Sequence, residues 1–292
     1  MQFSLGPARR QRTGDGYTAG MSESELPGVQ ATTLARVMLA PNPGPMTLDG
    51  TNSFVLRAPG SPSVVVVVDP GPSDAGHLAR LAGFGRVELV LVTHNHIDHT
   101  ESLAEFARMT DAPVRAIDAA LCIGGEPLVD GERIEAAGLA IEVVATPGHT
   151  ADSVCFALPG DAPLGAADAA HGSVLTGDTI LGRGTTIISD PDGALGPYLD
   201  SLERLRALGT HGPVVALTGH GPVLPDLAAI CDAYLAHRAE RLDQVRAALR
   251  RLGDDATTAQ VTDAVYADAD ASVRFAAEAS VRAQLKYLRG TA

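Results

Sequence analysis

The chain has 292 residues, of which 45 % are apolar and none is tryptophan, and its formal net charge is −13. The apolar fraction suffices for a sizeable core and excludes a largely disordered chain, while the length allows one large α/β domain with an appendage or two ordinary domains. The negative charge disfavours non-specific attraction to nucleic acid or anionic lipid. No apolar run of about 18 residues occurs, so no membrane-spanning helix and no membrane partner are predicted.

The cysteines Cys122, Cys155 and Cys231 are far apart and form no CxxC pair. Their number and spacing predict neither a disulfide framework nor a thiolate zinc site, and they are expected to be buried in a reducing cytosol. Arginines at positions 9, 10 and 12 are not followed by an apolar segment. The sequence therefore predicts no secretory signal and a cytoplasmic protein.

Strands and helices are predicted to alternate after a flexible polar tail at residues 1–32. The segment 64–68 is continuously apolar, which predicts a strand buried on both faces. The predicted elements up to residue 217 are strands at 54–56 and 64–68, a helix at 77–81, a strand at 87–93, a helix at 102–109, a strand at 114–117, two short strands within 132–145, strands at 154–158 and 173–176, a helix at 198–208 and a strand at 214–217.

Beyond residue 226 the strand patterns disappear. Helices are predicted at 233–252, after the N-cap Thr257–Thr258, and near 273–288. This change predicts a catalytic domain at residues 33–226 and a small helical domain at 227–292. The Pro/Gly/Ala-rich stretch 159–172 is predicted to be a mobile insertion.

The chemistry is predicted to reside in the segment HNHIDH at residues 94–99, which directly follows a buried strand. In an extended chain His94 and His96 point to the same side, and Asp98 and His99 lie where the chain turns into the next helix. Imidazole and carboxylate are the ligand types that zinc prefers. Four such groups within six residues indicate a metal site.

Three later turns repeat the same arrangement of a ligand type beside glycine after an apolar strand. They contain His149, Asp178 and His220. A rigid sheet positions loops of this kind for catalysis. The four segments together predict one polynuclear site.

This order of motifs resembles the metallo-β-lactamase superfamily of hydrolases over residues 35–225. The resemblance implies an αβ/βα sandwich of two mixed sheets with helices outside. It also implies that His94, His96 and His149 hold one zinc ion, that Asp98, His99 and His220 hold the other, and that Asp178 bridges the two. Mixed His/Asp sites also accept manganese or iron, so these metals remain alternatives.

Two metal ions about 3.5–4 Å apart can share a water molecule and lower its pKa towards 7, which yields a metal-bound hydroxide for hydrolysis. Asp98 is the predicted catalytic residue, either as a ligand of the second ion or as a base that orients the nucleophile. A carboxylate at Asp69 follows another buried strand and is either a partner that holds a ligand imidazole or an ordinary turn residue.

Segments outside the ligands resemble the β-lactamase-like protein 2 group of this superfamily. They are residues 42–48 with Gly50-Thr51-Asn52, residues 177–186, and Tyr234 with His237-Arg238. The resemblance implies a winged-helix-like C-terminal domain and a choice of substrates. Relatives include single-strand endoribonucleases, thioesterases of acyl-carrier thioesters and, more distantly, glyoxalase II enzymes. The predicted substrate is therefore single-stranded RNA or a small ester or thioester.

The surface composition bears on this choice. RNA binding favours a basic groove with stacking aromatic side chains, whereas a thioester needs only an apolar cleft beside the metal ions. Aromatic residues make up only 4 % of the chain. Positive charge does concentrate in the C-terminal region, at Arg241, Arg246, Arg250, Arg251, Arg274, Arg282 and Lys286. True β-lactamase activity is not expected, because those enzymes act outside the cytoplasm.

A metal-sensing DNA-binding regulator is the alternative from a different class of protein. Its recognition helix would be residues 258–267, which carry Asp263 and no lysine or arginine, so DNA binding is disfavoured. Packing over the cleft or a homodimer contact is the alternative role of the C-terminal domain. The remaining candidates are given structural roles: His77, His211 and His237 as surface histidines, His171 as a loop residue and Ser153 as a serine without a catalytic base.

Overall fold

The computed structural model describes residues 26–61, 63–165, 172–267 and 274–290. In chain order the strands are β1 (Val29–Gln30), β2 (Ala35–Leu39), β3 (Asn52–Leu56), β4 (Val64–Val68), β5 (Arg86–Leu91), β6 (Val114–Arg115), β7 (Arg133–Ala136), β8 (Leu139–Ala145), β9 (Val154–Leu158), β10 (Ser173–Gly177) and β11 (Val215–Thr218). The helices are α1 (Ala75–Ala82), α2 (Ile97–Thr100), α3 (Leu103–Thr110), α4 (Leu195–Leu208), α5 (Leu227–Leu252), α6 (Thr258–Val265) and α7 (Arg274–Arg289).

The strands form two mixed sheets, as the resemblance implied. The first has the order β1-β2-β3-β4-β5-β6 and the second the order β11-β10-β9-β8-β7. In the first sheet β4, β5 and β6 run parallel, and in the second only the pair β10 and β11 is parallel. The carboxyl ends of β5 and β10 are therefore followed by the loops that carry the predicted ligands.

The strand β4 shows how the layers are built. Val66 and Val68 point into the core between the two sheets, where they pack with residues such as Phe156 of β9. Val65 and Val67 point to the opposite face, which α1 and α3 cover. The predicted burial of this strand on both faces is confirmed.

Helices α4 and α5 cover the outer face of the second sheet. Tyr198 of α4 and Cys231 and Tyr234 of α5 belong to that core. The far end of α5 packs instead against α6 and α7, in a small separate core that includes Val245 and Val281. Between Asp226 and Gly290, the elements of the described residues are all helical. The N-cap prediction at Thr257 is confirmed, since it forms a capping box with Gln260.

Two expectations about the chain ends and insertions need correction. The sheet begins at β1, within the stretch assigned to the tail, because Val29 and Gln30 pair with β2. The start of the supposedly mobile insertion is anchored, since buried Asp161 accepts hydrogen bonds from the hydroxyls of Thr32 and Ser173. Residues 1–25 and 166–171, which include His171, lie outside the described residues. Within the described ranges, no helix combines the length and apolarity needed to cross a membrane.

Candidate metal centre

The first ligand segment lies between β5 and α3. The chain leaves β5 extended, and His96 has the extended conformation of an N-cap residue before the single turn of α2. Asp98 and His99 belong to that turn. The predicted placement of His94 and His96 towards one site, with Asp98 and His99 on the following turn, agrees with the structure.

The seven predicted ligands meet at the edge where the loops of both sheets converge. They form two groups, in each of which the ligand atoms lie within 4.8 Å of one another. The first group contains His94, His96, His149 and Asp178, and the second contains Asp98, His99 and His220. All seven residues that the sequence predicted as metal ligands therefore lie together in this cluster.

Asp178 lies between the two groups. Its Oδ2 is 3.9 Å from His94 Nε2 and 3.7 Å from His149 Nε2. Its Oδ1 is 3.6 Å from His99 Nε2 and 3.3 Å from His220 Nε2. Each carboxylate oxygen thus faces one group, which is the arrangement that a bridging ligand requires.

Each imidazole directs one nitrogen into the cluster and offers the other to an outer partner. His99 Nδ1 lies 2.8 Å from Asp69 Oδ2 and His94 Nδ1 lies 3.0 Å from Thr93 Oγ1. The remaining outer contacts are those of His96 Nε2 with Ser189 Oγ at 3.3 Å, of His149 Nδ1 with the Ile187 carbonyl at 2.7 Å and of His220 Nδ1 with the Gly50 carbonyl at 3.1 Å. Such outer contacts hold ligand imidazoles in metal sites, and Asp69 has the first of the two roles proposed for it.

The directions of the pKa shifts divide the histidines into the same two groups as the ligand geometry. Burial lowers the pKa of His94, and burial also lowers that of His149 to about 4. Burial likewise opposes the charged form of His99 and His220, but Asp69 beside His99 and Asp178 beside His220 outweigh it. The pKa of His99 is raised well above its ordinary value, and that of His220 is raised to about 10.

The two carboxylates of the cluster are correspondingly anionic. Burial alone would raise the pKa of Asp98, but hydrogen bonds from His220 and His99 hold it far below its usual range. Burial would also raise the pKa of Asp178, and the charge of His220 lowers it instead. The first group thus offers neutral imidazoles, the form that a divalent cation binds, whereas His99 and His220 would release their protons when a cation binds the second group.

A further observation indicates that the cluster is suited to metal ions. His94 Nε2 and Asp178 Oδ1 are buried and have no hydrogen-bond partner among the described residues. Buried polar atoms without partners are rare in native proteins and call for an explanation. Nitrogen and carboxylate donors aimed at common points are the donor set of zinc and of similar divalent ions, which supplies that explanation.

Glycines beside the ligands allow a close approach of the loops. A Cβ atom at Gly219 would lie 2.5 Å from Asp178 Oδ1, and one at Gly148 would lie 2.3 Å from the Tyr198 Cα. Gly148 also has a φ of +147°, where side chains are strained. The Gly-flanked turns singled out in the sequence are therefore required by packing around the cluster.

Two contributions to the site were not assigned by sequence reasoning. Thr51 Oγ1 donates to Asp98 Oδ2 over 2.9 Å, and Ser189 contacts His96 as described. Thr51 lies in the segment 50–52, which is part of the resemblance to the β-lactamase-like protein 2 group. The sequence thus singled out Thr51 but indicated no role for it. Ser189 gave no signal, because its partner is far away in sequence.

Helix α5 holds the loop that follows Asp178. The Tyr234 hydroxyl accepts a hydrogen bond from the Leu181 backbone N–H at 3.0 Å and donates to a nearby carbonyl. The buried Arg238 guanidinium donates to the Thr186 carbonyl and lies over the Tyr198 ring, 5.0 Å from its centroid. The resemblance at Tyr234 and Arg238 thus marks the residues that shape this loop.

The prediction that His77 is a surface histidine is wrong. His77 is completely buried, and its Nε2 lies 2.9 Å from Ser53 Oγ. Burial first, and then the charge of Arg80, lowers its pKa to about 4. His211 is exposed and His237 is half-buried, and neither joins the cluster.

Other candidates stay outside the reaction site as well. The Ser153 hydroxyl lies 2.7 Å from that of Thr150, so it serves the turn after His149. A cavity of about 660 Å³ lies along the first sheet, beside Arg57, Phe84 and Leu164, and none of the seven ligands lines it. The thiols of Cys155 and Cys231 are free and buried, as predicted, whereas Cys122 is half-buried.

Comparisons with known proteins agree with the fold and the cluster. The Metallo-beta-lactamase superfamily profile matches residues 46–220. The Beta-lactamase-like protein 2 homolog of Caenorhabditis elegans is 30 % identical over 264 residues, which cover 86 % of this chain and 82 % of that protein. The Atrochrysone carboxyl ACP thioesterase of Aspergillus fumigatus is 30 % identical over 259 residues, which cover 82 % of this chain and 76 % of that protein.

Among solved structures, a Beta-lactamase domain protein from Burkholderia ambifaria superimposes with a TM-score of 0.70 and 20 % identity, covering 92 % of this chain and 91 % of the other. This likeness extends the shared fold into the helical C-terminal region. The two sheets and the cluster of histidines and aspartates define an enzyme, a hydrolase of the metallo-β-lactamase fold. The chain belongs to the metallo-β-lactamase superfamily.

Proposed function

We propose that this chain is a dinuclear zinc hydrolase of small acyl thioesters. One ion would be held by His94, His96 and His149 and the other by Asp98, His99 and His220, with Asp178 between them. The two Asp178 oxygens face different groups, and its buried Oδ1 has no hydrogen-bond partner among the described residues; both observations support this assignment. Two ions at these positions would supply an activated water and positive charge for the developing oxyanion.

Asp98 is proposed to act on the attacking water. Its side chain is 22 % exposed, against 11 % for Asp178, so it lies on the solvent side of the cluster. Hydrogen bonds from His220 and His99 keep its pKa low, and an anionic carboxylate can orient the water or bind the second ion. Thr51 holds its Oδ2 in place from the outside.

The proposed reaction breaks the C–S bond of the thioester. Water adds to the thioester carbonyl, and the C–S bond then breaks with its electron pair leaving on sulfur, so the products are a carboxylic acid and a thiol. A thiol has a pKa of about 8.5 and leaves as thiolate without a general acid. Breaking the C–S bond therefore requires no proton donor among the residues of the cluster.

One observation favours a thioester over RNA as the substrate: several cations of the C-terminal region are already in ion pairs. Arg282 and Lys286 pair with Asp190, whose side chain is almost completely buried. Two further cations of this region form ion pairs within it: Arg246 pairs with Asp243, and Arg274 pairs with Asp263 and Glu278. Cations that are already paired contribute little to an electrostatic groove for a phosphate backbone.

The similarity to an acyl-carrier-protein thioesterase from Aspergillus fumigatus supports the same choice. Single-stranded RNA is the second candidate substrate, favoured by the exposed Arg250 and Arg251 at the end of α5. The division into a catalytic domain at residues 33–226 and a helical domain at 227–292 is proposed with one qualification from the structure, that α5 belongs to the cores of both. A cytoplasmic location, a winged-helix-like character and a homodimer stay predictions.

The test is thiol release from an N-acetylcysteamine thioester by zinc-loaded protein, followed with a thiol reagent, with single-stranded RNA as a second substrate. We expect thioester hydrolysis that a chelator removes and added zinc restores, with a zinc content of about two ions per chain. RNA cleavage without thioester hydrolysis would replace the thioesterase by a ribonuclease. A zinc content near zero after loading would refute the proposed dinuclear zinc site.

A further inference from the structure

Ser189 is the outer partner of His96. Its hydroxyl lies 3.3 Å from His96 Nε2, while Nδ1 of the same ring points into the cluster, 3.0 Å from His149 Nε2. The orientation of the His96 ring therefore depends on a side chain from the loop between β10 and α4.

The backbone of the same loop also holds His149. The Ser189 N–H donates to the His149 carbonyl at 3.0 Å, and the carbonyl of Ile187 faces His149 Nδ1 at 2.7 Å. A Cβ atom at Gly193 would come within 2.2 Å of the His149 carbonyl oxygen, so the loop can approach His149 this closely only with glycine at this position. Two ligands of the first group, His96 and His149, are thus oriented by one short segment.

Helix α7 determines where this segment lies. The side chain of Asp190, adjacent to Ser189, is only 4 % exposed, and its carboxylate lies 2.5 Å from Lys286 Nζ and 3.6 Å from Arg282 Nη1. Arg282 and Lys286 are one turn apart and so present their charges from the same face of α7. A buried carboxylate is stable only where it is paired, so the position of Asp190 depends on these two cations.

We infer that Ser189 is a positioning residue for His96 and that the ion pairs of Asp190 with α7 hold Ser189 in place, so that the C-terminal helix sets metal affinity at the His94, His96 and His149 position. This inference rests on the proposed metal site and is independent of the thioester substrate. It gives the helical C-terminal region a role in the catalytic centre that needs no contact between that region and the substrate.

The experiment compares four variants in their zinc affinity, measured by competition with a chromophoric chelator, and in the visible spectrum of the cobalt-substituted protein. Ser189→Ala and Asp190→Asn are expected to weaken one of the two binding steps by about 10–100-fold and to alter the cobalt spectrum, with the other step unchanged. Ser189→Thr keeps the hydroxyl and is expected to restore affinity. Arg274→Gln removes an exposed ion pair elsewhere on α7 and is the matched control, with affinity within about twofold of the wild type.

Wild-type affinity and an unchanged cobalt spectrum in both Ser189→Ala and Asp190→Asn would overturn the inference, even if Asp190→Asn lowered the melting temperature. Two tightly bound ions without thioester hydrolysis, combined with weakened binding in these variants, would refute the proposed substrate and support the inference. A wild-type protein that takes up no ion would refute both.

Discussion

Thr51 Oγ1 donates a hydrogen bond of 2.9 Å to Asp98 Oδ2, and the two residues lie 47 positions apart in the chain. The Asn42 side chain fixes Thr51 in turn, donating to its hydroxyl at 2.9 Å and accepting from its backbone N–H at 2.9 Å. The turn-rich segment before β3 is therefore a support for the predicted catalytic carboxylate.

Thr51→Val is expected to lower turnover by about 10–100-fold, because it keeps the side-chain shape but removes the donor that orients Asp98. The measurement is kcat for thioester hydrolysis at saturating zinc. Thr51→Ser retains the hydroxyl and should recover most of the rate. Equal rates in the wild type and the Val variant would show that Asp98 needs no such support.

Asp98→Ala should abolish turnover, with a loss of at least about 100-fold, because it removes the anionic group nearest the solvent side of the cluster. Its fold is expected to be retained, which circular dichroism and the melting temperature can check. Asp118→Ala removes an exposed aspartate outside the cluster of ligands and is the control. Near-normal activity of Asp98→Ala would remove Asp98 from the mechanism.

Asp69→Asn is expected to weaken zinc binding by about 10–100-fold, since the amide loses the charge that holds His99 through Nδ1 at 2.8 Å. Asp69 has a φ of +49°, a left-handed conformation that asparagine tolerates well, so backbone strain should not change. Asp111→Asn makes the same replacement at a left-handed residue, φ +57°, outside the cluster. Equal zinc affinity in the two variants would contradict a role for Asp69 in holding His99.

The burial of His77 predicts a pH dependence of stability that is separate from the titration of the predicted metal ligands. Its folded-state pKa of about 4 lies below the ordinary value of 6.5, so the unfolded chain binds a proton that the folded chain rejects between these values. The stabilising contribution of neutral His77 is therefore complete above about pH 6.5 and is lost as the pH falls towards 4. The loss amounts to about 3 kcal/mol.

Urea unfolding of the chelated protein at pH 7 and pH 4.5 measures this loss. The difference in unfolding free energy between the two pH values should be smaller in His77→Gln than in the wild type, because glutamine does not titrate. His211→Gln, at an exposed position, should leave the difference unchanged. An equal pH dependence in all three proteins would mean that protonation of His77 does not lower the free energy of unfolding.

Local patterns predicted most strands and helices, because periodic burial is a local property. The strand at 64–68 and the capped helix after Thr257 lie where the sequence placed them. The strand β2 was not predicted, because Arg36 interrupts its apolar pattern. Its guanidinium is nevertheless buried and donates to the carbonyls of Leu26 and Gly28. A buried arginine is recognisable only from the backbone that surrounds it.

The sequence by itself determined which residue types stand at the strand ends and hence predicted a metal site, because ligand chemistry depends on side chains and their spacing. Only the tertiary structure decided which of them face one another: His99 and His220 are 121 residues apart and their Nε2 atoms lie 3.3 Å from each other. The same holds for the outer partners Asp69, Thr51 and Ser189. Their roles arise from contacts between distant loops, and such contacts leave no periodic trace along the chain.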